Sequence, residues 1–249
     1  MKITPIKTHK ITARDRDIFA ILDRYLPSLL EKSVVAITSK IVAICEGRMV
    51  KIGKFDKDDL IRKEATLYIP RSSSKYSVCL TIARNILAAS AGIDESNGNG
   101  YYILWPRNPQ ESANKICSYL RKHFRLRRVG VVLTDSKTTP LRWGVTGFSL
   151  AHSGFLPINS YIGKKDLFGR KFEYEKVNVA DSLAAAAVVA MGEGPEQMPI
   201  AVVEDVPFVR FQRRNPSKRE LAQLQITLED DLYAPLLKGV RWEVGSGNF

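Results

Sequence analysis

Three short acidic, glycine-rich segments each abut an apolar run: residues 90–97 (SAGIDESN), 133–144 (LTDSKTTPLRWG) and 191–199 (MGEGPEQMP). A carboxylate at the end of a hydrophobic strand or helix is held by rigid backbone yet projects into a cleft. Hard divalent cations bind where several such oxygens converge from different loops. Asp94, Asp135 and Glu193 are the candidate metal ligands, with the hydroxyl of Ser136 beside the second of them. Each also has a plain alternative: Asp94 suits an Asx-turn, Asp135 a helix cap or turn, and Glu193 a surface loop. The first segment offers more than a turn needs, because Asp94, Glu95, Ser96 and Asn97 supply four consecutive polar side chains between glycines.

Cations stand near these acids. Ser39 and Lys40 follow an apolar run at 33–38, at the strand end where alpha/beta proteins expose functional groups, so Lys40 is placed to meet a phosphate. A lysine snorkelling at a strand end remains the other reading. Arg142 carries a guanidinium fork suited to phosphate or carboxylate, beside Trp143 and Gly144. Neither GxxxxGK(S/T) nor a strand-linked GxGxxG occurs, so a nucleotide would be held by scattered groups and metal. His9, His123 and His152 show no paired spacing, and there is no GxSxG nucleophile turn. Zinc hydrolysis and covalent acyl chemistry are therefore disfavoured.

The elements that must position these groups are legible from periodicity. Residues 17–30 carry a helical apolar stripe, 33–38 and 129–134 read as buried strands, and 57–67 as a helix. The second strand is expected to end at Thr134 and deliver Asp135 to an edge. Residues 109–124 form the best-defined helix, with Asn108 as cap, Pro109 in the first turn and Glu111 completing a capping box. Residues 145–151 and 200–203 read as strands, 180–191 as a tightly packed helix closed by Gly192, and 217–228 as a C-terminal helix.

At 249 residues with 45% hydrophobic and 26% charged residues, the chain reads as an ordinary globular protein without a membrane span or an export signal. Cys45, Cys79 and Cys117 lack CxxC spacing and fit buried thiols in a reducing compartment, so a cytoplasmic protein is expected. A net charge of +12 attracts polyanions without choosing among them. The arginine-rich stretches at 121–128 and 210–219 carry no nucleic-acid motif, and a nucleic acid is not the expected partner.

Residues 37–40 (ITSK) with 46–48 (EGR), 90–97 (SAGIDESN), 134–136 (TDS), 163–170 (GKKDLFGR) and 191–193 (MGE) occur in order, and together they resemble the coenzyme F420:L-glutamate ligase family. The resemblance implies an α+β fold of its own type, with a mixed sheet, packed helices and an intertwined homodimer. It also implies nucleotide-dependent addition of L-glutamate with GTP or ATP, magnesium or manganese, and potassium. By that resemblance Asp94, Asp135, Ser136 and Glu193 correspond to metal ligands. Asn97, Gly192 and Gln197 correspond to nucleotide contacts, together with Ser39, Lys40 and the Ile6–Lys7 stretch, which lies where the family has a nucleotide loop. Lys40 and Arg142 would neutralise phosphate or carboxylate, and Arg142, Lys164 and Lys165 would draw in an anionic acceptor of pterin or deazaflavin type.

This chain departs from the archaeal pattern after its second aspartate, with KTTPLR at 137–142, and resembles the bacterial branch assigned to folate. A ligase-like domain is expected over 1–208 and a C-terminal helical extension over 209–249. The competing functions are a basic RNA-binding protein without catalysis and a metal-dependent phosphohydrolase.

Overall fold

The structure, a computed structural model, describes residues 1–247. The last two positions of the expected extension lie outside the described residues. In chain order the elements are β1 (Lys2–Ile6), α1 (Ile18–Tyr25), β2 (Ser33–Thr38), α2 (Ser39–Cys45), β3 (Met49–Lys51), α3 (Lys57–Glu64), β4 (Leu67–Ile69), β5 (Leu80–Ala83), β6 (Ile86–Ala89) and β7 (Tyr101–Ile103). There follow α4 (Pro109–His123), β8 (Val129–Thr138), β9 (Val145–Ser153), β10 (Ile158–Ser160), β11 (Lys176–Asn178), α5 (Val179–Met191), β12 (Ile200–Glu204), α6 (Lys218–Leu221), α7 (Ala234–Lys238) and β13 (Glu243–Val244). The fold is α+β with a mixed sheet.

Among the described residues the central sheet has the order β1-β12-β2-β8-β9. β2 and β8 run parallel, and the other pairings are antiparallel. The continuous apolar runs SVVAIT and VGVVLT suit strands buried on both faces. One face, through Val35, Ile37, Val131 and Leu133, packs on Leu22 of α1, Val42 of α2 and Ile116 and Leu120 of α4. The other, through Val34, Ala36 and Val132, packs on Leu183, Ala184, Ala187 and Met191 of α5, whose alanines allow close approach.

A smaller antiparallel sheet, β13-β4-β5-β6, lies beside α3. It meets the central sheet through a cluster of Ala65, Ala83, Ala88 and Ala91 with Trp105 and with Phe148 of β9. β3 pairs with β7, and β10 with β11.

Several boundaries differ from expectation for local reasons. α1 stops at Tyr25 because Leu26 precedes Pro27, and a residue before proline is driven to extended backbone. α3 ends at Glu64, since Leu67 already belongs to β4. In α4 Asn108 caps the amide of Glu111, but the Glu111 carboxylate pairs with Lys115 at 2.7 Å and does not complete the box. The helix expected over 217–228 is a short α6 with a Ser217–Glu220 capping box, followed by a 3-10 turn. None of its residues is buried, so no core face extends it.

The largest difference concerns β8, which does not end at Thr134. It continues to Thr138 through a register shift between Leu133 and Thr134 against β9. Asp135 therefore sits within a strand, just past a bulge that re-aims its side chain. The three cysteines are buried and free. Among the described residues no helix is long and apolar enough to cross a membrane.

Candidate active site

A cavity of about 540 Å³ opens where β2 and β8 deliver their carboxyl ends. Its floor comes from the start of α2 (Ser39, Lys40), its sides from 94–99 and from Thr134, Asp135 and Ser136, and its rim from 192–199. The loop 8–12 after β1 also lines it. The carboxyl ends of β2 and β8, distant in sequence, thus meet because the two strands pair in parallel.

Lys40 is the hub. Its ammonium donates to Asp94 Oδ2 at 2.7 Å, to the Ser96 carbonyl at 3.0 Å and to Ser96 Oγ at 3.2 Å. The Asp94 carboxylate also accepts the Ser96 amide at 2.8 Å and the Ser96 hydroxyl at 2.7 Å. Burial alone would raise this carboxyl, but the Lys40 and Ser96 hydrogen bonds outweigh it and hold Asp94 below the usual carboxylate range. An Asx-turn does form here, as the local reading allowed, and it orients the acid toward the cavity.

Asp135 has the opposite balance. Burial pushes its carboxyl up to about 6, against the stabilising hydrogen bonds from the Trp105 indole N–H and the Ser136 amide. Glu193 is likewise raised by burial, although the Ser136 hydroxyl donates to its Oε2 at 3.2 Å. Nearby acids add to this, Asp94 acting on both and Glu196 on Glu193. Asp94, Asp135, Ser136 and Glu193 offer oxygen atoms only, the donor chemistry that magnesium and manganese accept. Among the described residues no three His, Cys, Asp or Glu side chains gather closely enough to enclose an ion by themselves. Magnesium sites commonly complete such partial sets with substrate phosphates.

The rim is shaped by backbone contacts. Asn97 donates through Nδ2 to the Gly194 carbonyl at 3.3 Å, tying the two acidic loops together. The Gly194 amide donates to Glu196 Oε2 at 2.7 Å, and the Thr8 amide to the Gln197 carbonyl at 2.9 Å.

Not every expected residue is part of this arrangement. Ser39, Lys40, Asn97, Gly192 and Gln197 line the cavity, but Ile6 and Lys7 do not. Ile6 pairs with Ile200 and packs on the core, and Lys7 is exposed; Thr8 is the residue of that stretch that faces the cavity. Arg142 sits exposed in the turn between β8 and β9, and Lys164 and Lys165 in the loop between β10 and β11. None of the three lines the cavity of its own chain.

His9 does line it, although spacing gave no hint. Its backbone amide donates to the Tyr25 hydroxyl at 3.0 Å; its Nδ1 lies 2.8 Å from that hydroxyl and its Nε2 2.8 Å from Asp15 Oδ1. Asp15 also accepts the Thr12 amide at 2.8 Å, so the loop over the cavity is clamped from within. The relevant partner, Tyr25, lies sixteen residues away on α1, beyond any local motif.

A sequence model of the F420-0:gamma-glutamyl ligase family matches residues 5–205. Similar proteins include the coenzyme F420:L-glutamate ligases of Methanocaldococcus jannaschii, 32% identical over 70% of this chain and 77% of the relative, and of Methanothermobacter thermautotrophicus, 31% identical over 72% and 77%. The corresponding ligase of Methanosarcina mazei is 29% identical over 72% of this chain and 76% of its own length. With most of its length matched and the cavity built from the matched region, the chain belongs to the F420-0:gamma-glutamyl ligase family.

Proposed function

We propose that this protein joins L-glutamate to the carboxylate of an anionic acceptor, a folate or a coenzyme F420-like compound, at the expense of GTP or ATP. The observation that carries the reading is the convergence of Lys40, Asp94, Asp135, Ser136 and Glu193 on one cavity.

A carboxylate is a poor electrophile because oxide cannot leave. In the proposed reaction an acceptor carboxylate oxygen attacks the γ-phosphorus, the bond to the nucleoside diphosphate breaks, and an acyl phosphate forms. The glutamate amine then attacks the acyl carbon and phosphate departs, with the amine proton passing to solvent. This route requires clamping of anionic groups more than covalent help from the protein. Lys40 is held by Asp94 and Ser96 at the cavity floor, where its charge neutralises phosphate oxygens. Asn97, Gly192 and Gln197 frame the triphosphate. Asp94, Asp135, Ser136 and Glu193 would hold magnesium or manganese, which when bound supplies charge neutralisation at the phosphates.

Arg142, Lys164 and Lys165 lie on hairpin tips away from this cavity, which supports a homodimer in which each copy offers its tips to its neighbour's acceptor. Incubation with L-glutamate, GTP or ATP, magnesium or manganese, and either tetrahydrofolate or a deazaflavin acceptor tests the reading by mass spectrometry. The expected result is a gain of one glutamyl unit in step with phosphate release. Phosphate release independent of glutamate would instead make the protein a phosphohydrolase, and salt-sensitive RNA binding without turnover would make it an RNA-binding protein.

A further inference from the structure

We infer that residues 209–247, which lie beyond the family match, are a strap that positions Asp94 against Asp135. The two acids belong to different layers: Asp135 to the central sheet, Asp94 to the segment that leaves β6 of the small sheet. The strap is fastened to both.

On the central layer Phe211 bridges Phe155, and the Gln212 amide donates to the Gly154 carbonyl at 2.7 Å. Arg121 of α4 donates to the Arg214 carbonyl at 3.0 Å and to the Gln212 carbonyl at 3.4 Å. On the small layer Asn85 donates to the Ile226 carbonyl at 3.0 Å, and β13 pairs with β4. The amides of Gly245, Ser246 and Gly247 then donate to the carbonyls of Thr66, Arg62 and Ala65 at 3.0, 2.8 and 2.9 Å.

That last anchor leads to the site by register. Val244 pairs with Leu67, Leu67 with Ile82 and Ile82 with Leu87 of β6, which runs into the turn before Asp94. In that turn Ser90 and Ala91 adopt φ of 52° and 51°, a left-handed conformation that side-chain-bearing residues hold only when their surroundings enforce it. The enforcement comes from the small sheet, because the Ser90 amide donates to Cys79 and the Ala91 amide to Thr81 of β5. β13 covers the outer edge of β4, which would otherwise fray. The strap thus stiffens the layer that aims Asp94, and its bearing on catalysis rests on the ligase reading above.

Gly245 gives a clean lesion, since a Cβ there would lie 2.1 Å from the Ala65 carbonyl oxygen. Amide hydrogen exchange and Mn²⁺ titration on the full chain compare wild type, Gly245→Val and, as control, Val244→Thr, whose side chain is 81% exposed. In Gly245→Val, exchange at 90–97 is expected to quicken, and Mn²⁺ binding to weaken, by about tenfold, with residues 129–134 unaltered. Val244→Thr should match wild type. Persistent protection of 243–247 in Gly245→Val, or its loss without any change at 90–97, would overturn the inference. The exchange readout does not depend on turnover, so it stands or falls separately from the ligase assignment.

Discussion

The Trp105 indole N–H donates to Asp135 Oδ2 while its ring lies against Gly92, two residues before Asp94. One side chain therefore touches both carboxylate-bearing segments, and the spacing between Asp94 and Asp135 depends on it. Trp105 is buried and packs edge-on near Phe148 of β9, so it cannot tilt without disturbing the contact between the two sheets.

Asp135→Asn tests the role of the charge. The amide retains size but not the carboxylate, and glutamate incorporation should fall at least about a hundredfold, with the protein still folded by circular dichroism. Trp105→Phe should keep the charge but strip one hydrogen bond from a half-buried carboxylate. It is expected to cost about 1.5–3 kcal/mol of stability in urea unfolding. Asp135→Asn with full activity would remove Asp135 from the site.

Gly92→Ala tests the spacing. A Cβ at this position would lie 2.0 Å from Trp105 Cε2, and the backbone φ is +71°, so the substitution meets both a clash and strain. Destabilisation of about 2–3 kcal/mol is expected, with a larger loss of activity than an exposed glycine would show. Paired unfolding and activity measurements check this, and an alanine variant of unaltered stability would mean that Trp105 moves freely.

Much of this arrangement was written locally in the chain. The apolar runs of β2 and β8 mark the sheet, and the glycine after Met191 marks the corner that presents Glu193. What local pattern could not convey was a relationship across strands. The bulge in β8 depends on its pairing with β9, so Asp135 looked like the end of a strand. His9 is tied to Tyr25 and Asp15 by a clamp visible only after α1 folds back, and Trp105 reads as an ordinary core aromatic until its partner is in place. The C-terminal strap gains its order from distant carbonyls, which no periodicity records.

His152 predicts a pH dependence. It is 1% exposed, its Nε2 has no hydrogen-bond partner among the described residues, and burial pushes the ring down to about 4 from 6.5. The unfolded chain therefore takes up a proton at 6.5 that the folded chain refuses until about 4, and stability is lost as pH falls through that window. The full gap corresponds to about 3 kcal/mol. Asp135 acts oppositely, because its raised carboxyl penalises the fold at neutral pH and the penalty is relieved as pH falls through about 6. The two trends offset each other in wild type, so the informative quantity is a difference. His152→Phe should gain stability relative to wild type progressively from pH 7 to pH 4, read as the gap between their melting temperatures. A constant gap would show that the histidine takes up its proton as readily in the fold as in the unfolded chain.

The hairpin tips supply the last test. Leu141 and Trp143 flank Arg142 with exposures of 102% and 91%, and Leu167 and Phe168 follow Lys164 and Lys165 with 98% and 95%. Single exposed apolar residues are ordinary, but large ones concentrated on two protruding tips beside candidate substrate cations call for a partner surface. If the partner is a second copy, wild type sediments as a dimer and Trp143→Ser combined with Phe168→Ser sediments as a monomer. Activity of the double variant should then recover as protein concentration rises, because the tip cations act on the neighbouring copy. A wild-type monomer with full activity would leave Arg142, Lys164 and Lys165 without a route to the acceptor.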